Sequence, residues 1–217
     1  MELIKQKFER YKHFNILSYY LVIMALYNIY EKITVPKYIM YSRLDDYIPF
    51  VKEMVVPYLF WYIYIMIALI YLGLTSKEDF YNFTAFMFVG MTICFLIYAI
   101  FPNGQNLRPV ITNTDIFSRL IYNIYMVDTP TNSAPSMHTL DAIAVHIAVM
   151  KCESLQKKFW IQAASLITMI LIIMSTVMIK QHSILDVLYG IVLSGVLYVI
   201  IYKFNIVKLF TAESAYE

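Results

Sequence analysis

Apolar residues gather in six blocks along this chain, at roughly 14–30, 54–73, 80–101, 137–150, 159–179 and 183–202. A helix needs about 20 such residues to cross a bilayer. Most of the blocks approach that length; the first is slightly short and the fourth clearly short. The fourth opens on the polar Ser136 and His138, so its helix is expected to start outside the hydrocarbon. The pattern predicts an all-α, polytopic membrane protein, with six transmembrane helices in one bundle and a single domain over residues 1–217.

The 102–136 connection is the longest in the second half, and a connection of that length is usually functional. Within it, Thr114 or Asp115 can cap a short helix whose Ile116, Phe117, Leu120, Ile121, Ile124 and Tyr125 form one apolar stripe. This helix reads either as an interfacial wall of a site or as a simple packing helix.

Composition agrees. Hydrophobic residues make up 60% and charged ones 15%, against the roughly 25% charged of soluble domains. Twenty tyrosines suit a protein with many membrane–water boundaries. A net charge of +2 is too small to suggest a nucleic-acid partner. Cys94 and Cys152 read as small packing residues, in neither a disulfide nor a metal site. Residues 1–13, with Lys5, Lys7, Arg10 and Lys12, read as a cytoplasmic basic segment rather than a cleavable signal. Alternate connections carry ten and seven Lys plus Arg, which places both termini in the cytoplasm. His138, Arg108 and His182 then share the extracytoplasmic side. Richness in Ile, Lys, Tyr and Asn suits a bacterial cell membrane.

Ionisable residues inside the blocks are few: Asp141, His146 and Asp186, with His138 at an edge. In lipid such residues are functional candidates. If a helix starts at His182, Asp186 lies one turn on and can hold one imidazole nitrogen, leaving the other free to attack. Arg108 offers a planar fork for a phosphate or carboxylate. Ser136 sits like an N-cap, where free N–H groups suit an anion, and His138 in the first turn can protonate a leaving oxygen. Each has a plain structural alternative: a helix-end pair, a surface arginine, a capped helix. Together they supply an anion clamp, a proton donor, a nucleophile and an orienting carboxylate, which fits phosphoryl transfer through a phosphohistidine without a metal. A zinc site from His138, Asp141 and His146 lacks the His-Glu-x-x-His pattern. His146 reads as an interhelical hydrogen-bonder, and no cofactor is expected.

Arg108-Pro109, Pro135-Ser136-Met137-His138, and Ser175, His182 and Asp186 stand in the order and spacing of three signatures. On these residues the chain resembles the type 2 phosphatidic acid phosphatase family, relatives of bacterial acid phosphatases and vanadium haloperoxidases, over about residues 95–190. The resemblance implies His182 as nucleophile and Asp186 as its orienting partner. It makes His138 the acid and then the base, with Arg108, Ser136 and Lys180 on the phosphate oxygens. Two family cations are replaced, by Phe101 and Thr176. Lys180 is expected to stand in for the second, with Gln105 and Asn106 as neutral donors near Arg108; Asp141, three residues after His138, either tunes it or simply pairs with it and is not expected to be catalytic. The departures also resemble the branch containing inositol-phosphorylceramide and sphingomyelin synthases. The implied function is a lipid-phosphate phosphatase at the outer membrane face, with membrane lipids around it. The rivals are a headgroup phosphotransferase with the same nucleophile and a non-enzymatic transporter. The lipid and the oligomeric state are not legible.

Overall fold

The structure is a computed structural model, described here over residues 11–207. Among these the chain is predominantly helical, with longer irregular connections at 34–54, 101–115 and 128–136. A 3₁₀ segment (Lys12–Ser18) leads into α1 (Tyr19–Ile33), followed by α2 (Val55–Thr75), α3 (Lys77–Ile100), α4 (Ile116–Val127), α5 (Met137–Lys151), α6 (Phe159–Met178) and α7 (Ile184–Tyr198).

Four helical stretches are long and apolar enough to cross a membrane: Lys52–Thr75, Lys77–Ile100, Phe159–Met178 and Ile184–Lys203. They coincide with the second, third, fifth and sixth apolar blocks. The other two blocks form shorter helices. α1 and α5 have 15 residues each, about 22 Å of rise against a hydrocarbon thickness of about 30 Å. The first block loses its opening turns to the 3₁₀ segment, where His13 is buried and its Nε2 lies 2.7 Å from the Gly73 carbonyl oxygen. Most of the basic segment 1–13 lies outside the described residues.

α5 is the hub. It packs against α2, α3, α6 and α7. Its buried face is rich in small residues, with Ala142, Ala144 and Ala148 beside Leu140 and Val145, so four neighbours can approach closely. Phe80, Phe83, Phe86, Cys94 and Leu140 fill the space around it. Both cysteines are buried and unpaired.

Gly190 on α7 explains how tightly α5 is gripped. A Cβ at that position meets the Ser136 carbonyl oxygen and the Thr139 Cβ, each at 3.0 Å. At Gly195, one turn on, nothing lies within 4 Å. Gly190 and Ser194 of α7 are buried, whereas Gly195 faces open space.

At one end of the bundle, three connections form a small cover. Tyr38–Ile39 (β1) pairs in parallel with Asn103–Gly104 (β2), and Gly104 bridges to Thr131. α4 starts where Asp115 accepts from the Phe117 and Ser118 N–H groups. Its Ile121 packs into a second cluster with Val55, Tyr58 and Ile179. The helix thus lies against the bundle, closing one side of this end.

Gly190→Val is expected to lower stability by about 1–3 kcal/mol through overpacking. Gly195→Ala should stay within about 0.5 kcal/mol of the parent. Thermal unfolding in detergent, followed by near-UV circular dichroism, checks both.

Candidate active site

The turn between α6 and α7 carries His182. Its backbone reverses with Lys180 in the left-handed region at φ 57°, a conformation that costs a non-glycine residue free energy and persists only where neighbours enforce it. The neighbours are many. The Val51 N–H donates to the Met178 carbonyl at 3.1 Å. The Tyr125 hydroxyl donates to the Ile179 carbonyl. Gln105, only 1% exposed, donates from Nε2 to the Lys180 and Gln181 carbonyls at 3.0 and 3.3 Å. The Gln181 and His182 N–H groups donate back to the Thr176 carbonyl.

α7 begins with a capping box. Ser183 Oγ accepts from the Leu185 N–H, and Asp186 Oδ2 accepts from the Ser183 N–H at 2.9 Å. The same Asp186 Oδ2 lies 3.2 Å from His182 Nδ1. One carboxylate therefore caps the helix and orients the imidazole. Asp45, arriving from the 34–54 connection, completes the end. Its Oδ2 accepts from Ser183 Oγ at 2.7 Å and its Oδ1 from the Ile184 N–H at 2.8 Å.

His138 enters from α5. Ser136 is its N-cap, accepting from the Thr139 N–H, and the Ser136 N–H donates to the Asp186 carbonyl at 3.0 Å. That bond ties the two helix starts together and brings the His138 and His182 ring centroids within 5.6 Å. His138 is held between Trp61 and Tyr58, at 4.4 and 4.6 Å, and its Nε2 is buried without a partner among the described residues. The loop before Ser136 is set by Asn103, fully buried. Its Nδ2 donates to the Phe101 and Ala134 carbonyls, and its Oδ1 accepts from Ser133 Oγ and the Ala134 N–H.

His138 and His182 line one cavity of about 70 Å³ with Glu31, Asp128 and Gln181. Asp128 Oδ2 accepts from Gln181 Nε2 at 2.7 Å and from the Tyr58 hydroxyl at 3.2 Å. Burial pushes its carboxyl up, opposed by His182 and Arg108. His138, Asp128 and Asp141 also line a larger, mainly apolar cavity of about 540 Å³.

Several expected residues sit elsewhere than the sequence suggested. Lys180 was expected to face His182; its Nζ instead donates to the Asp45 and Ile48 carbonyls at 2.8 and 2.6 Å. The reason is the reversed backbone, which aims the side chain at the 45–48 turn. Arg108 lies over the Tyr125 ring at 4.5 Å and donates to the Tyr125 and Asp128 carbonyls, with Nε left without a partner among the described residues. Burial lowers its pKa. Gln105 braces the turn, and Asn106 is exposed. Phe101, at one missing family cation, stacks on Tyr38 at 4.1 Å. Thr176 returns its hydroxyl to the Ile173 carbonyl. His146 Nδ1 lies 3.0 Å from Ser165 Oγ on α6, an interhelical bond. Among the described residues no three His, Cys, Asp or Glu side chains gather to hold a metal.

Asp45, Asp128, Gln181 and Glu31 carry no local sequence signal that marks them. Only Gln181, inside the His182 turn, was within reach of the motif.

The PAP2 superfamily model matches residues 87–208, more than half of the chain. The chain belongs to the PAP2 superfamily. Members of that superfamily are phosphatases acting on phosphate esters. The matched span of this PAP2 chain contains His138, His182 and Asp186 together with Arg108 and Ser136. No curated protein and no solved structure matches the chain.

Asn103→Ala removes four hydrogen bonds from the loop that delivers His138. It is expected to cost about 2–5 kcal/mol, read from thermal unfolding in detergent. Asp128 supplies a pH test. A carboxyl raised in the folded state favours folding at low pH, and that contribution is lost as pH rises from the usual carboxylate range through the folded value. Asp128→Asn should therefore gain stability relative to the parent as pH rises, seen in midpoints compared from about pH 4 to 8.

Proposed function

We propose that this protein is an integral-membrane lipid-phosphate phosphatase that works through a phosphohistidine on His182, without a metal, at the extracytoplasmic face of a bacterial membrane. One observation carries the reading: His138 and His182, ring centroids 5.6 Å apart, share a small cavity that Glu31, Asp128 and Gln181 also line, and His138 and Asp128 also line a 540 Å³ apolar one. In this reading the phosphate occupies the first and the lipid tail the second.

In this reading His182 Nε2 attacks phosphorus while Asp186 holds Nδ1 and stabilises the imidazolium. The P–O bond to the lipid breaks, and His138 donates its proton to the departing oxygen. His138 then takes a proton from water as that water attacks the phosphohistidine, releasing inorganic phosphate and restoring His182. Arg108, through its unpartnered Nε, and the helix start at Ser136 hold the phosphate oxygens. Lys180 acts through the turn it braces. Six helices cross the membrane, the two short ones with local thinning, and both termini are cytoplasmic.

Glu31 and Asp128 favour a second reading. Two carboxylates beside the small cavity oppose a phosphomonoester dianion more than a phosphodiester monoanion. A headgroup phosphotransferase, with an alcohol replacing water in the second step, fits that charge pattern.

The test is phosphate release from a panel of lipid phosphomonoesters and diphosphates by purified protein in chelator. Release is expected, His182→Ala should lower kcat at least about 10³-fold, and His138→Ala about 10²–10⁴-fold. Turnover only with a phosphodiester plus an alcohol supports the transferase. Full function in folded His182→Ala protein overturns both readings and leaves a transporter.

A further inference from the structure

Asp141 has no role in that mechanism, yet its position is unusual. It is fully buried in α5, one turn beyond His138, and both carboxyl oxygens lack a hydrogen-bond partner among the described residues. A buried carboxyl left unsatisfied is costly. Asp141 also lines the 540 Å³ cavity with His138, and the remaining wall there is dominated by groups such as Trp61, Met91 and Phe95. An apolar chamber with one unsatisfied carboxyl next to the proton donor is the form of a binding site, where a few polar groups set specificity within an apolar wall.

A second apolar cavity, of about 290 Å³, shares Tyr20, Trp61, Tyr62 and Met91 with the first. The two cavities therefore adjoin, the first beginning at His138 and the second lying further along α2 and α3, and together they offer room for a chain rather than a small molecule. A saturated or polyprenyl chain offers Asp141 nothing. A hydroxyl or amine on the chain does.

We propose that Asp141 is a specificity-determining residue that accepts a hydrogen bond from a hydroxyl or amino group on the lipid, close to the phosphoester carbon. The proposal rests on the phosphatase reading, in which His138 meets the leaving oxygen. Three residues of helix rise is about 4.5 Å, which sets the donor about two to four bonds from that oxygen. The favoured substrates are then vicinal hydroxy- or amino-lipid phosphates, such as those with a monoacylglycerol or long-chain amino-alcohol skeleton. Phosphates of unsubstituted alcohols are disfavoured.

Binding tests this without chemistry. The chain has two tryptophans, and Trp61 lines both cavities, so in a Trp160→Phe background Trp61 reports on occupancy alone. The probes are tail-brominated long-chain 1,2-diol, 2-amino alcohol and plain 1-alcohol, titrated into the full chain in detergent. The diol or the amino alcohol should quench at a concentration at least about tenfold below the plain alcohol, a 1.4 kcal/mol difference. The better of the two identifies the donor. Asp141→Leu should bring the three probes together, while Asp141→Asn, which keeps an acceptor oxygen, should retain a preference. Equal quenching by all three in the parent, no quenching by any, or a preference that survives Asp141→Leu overturns the proposal. Phosphate release separates the two claims. A donor preference without any release sinks the phosphatase reading and leaves the pocket assignment. Release with no preference does the reverse.

Discussion

The reversal between α6 and α7 is the constraint on which this structure depends. It places a run of peptide groups at the buried end of an apolar bundle, where an unpaired carbonyl costs free energy of order 1–3 kcal/mol. The chain answers with donors from three distant places, Val51, Gln105 and Tyr125, while the turn's own Lys180 ammonium donates outward to the Asp45 and Ile48 carbonyls. Once those bonds are made, His182 has little freedom left. Its ring direction follows from Asp186, and Asp186 is fixed in turn because it caps α7.

The second histidine is delivered by a different device with the same logic. α5 is too short to be held by lipid alone and is instead enclosed by four helices, with Ala-rich sides that let them close in. Its start is pinned by the Ser136–Asp186 backbone bond and by the Asn103 side chain. Two imidazoles, one on α5 and one on the turn before α7, thus reach one cavity because the helix starts are bonded to each other. The arrangement asks little of side-chain contacts between the histidines themselves.

Much of this was legible in the residues, for identifiable reasons. Four apolar blocks matched helices within a few residues, because length and hydrophobicity alone decide such segments. Asp115 capping α4 and His146 bonding to α6 follow from local rules. The His182–Asp186 contact was readable because the pair is one helical turn apart. Lys180 shows the limit. Proximity in sequence to His182 suggested proximity in space, but a left-handed backbone at that position turned the ammonium towards the 45–48 carbonyls. Asp45 and Asp128 were invisible for a related reason: each acts across 50 or more residues, and nothing nearby in the chain marks a carboxylate that will cap a remote helix or receive a remote glutamine.

Asp45 has one more consequence. The stretch matched by the family model begins at residue 87, but the carboxylate that finishes the start of α7 comes from well before it. So do Val51, which supports Met178, and Trp61 and Tyr58, which sandwich His138. The heritable signature and the working unit are therefore different sizes. The motifs travel in the second half of the chain, while the scaffold that makes them competent is distributed over both. Transplanting the signature half onto another bundle moves the reactive groups without the parts that aim them.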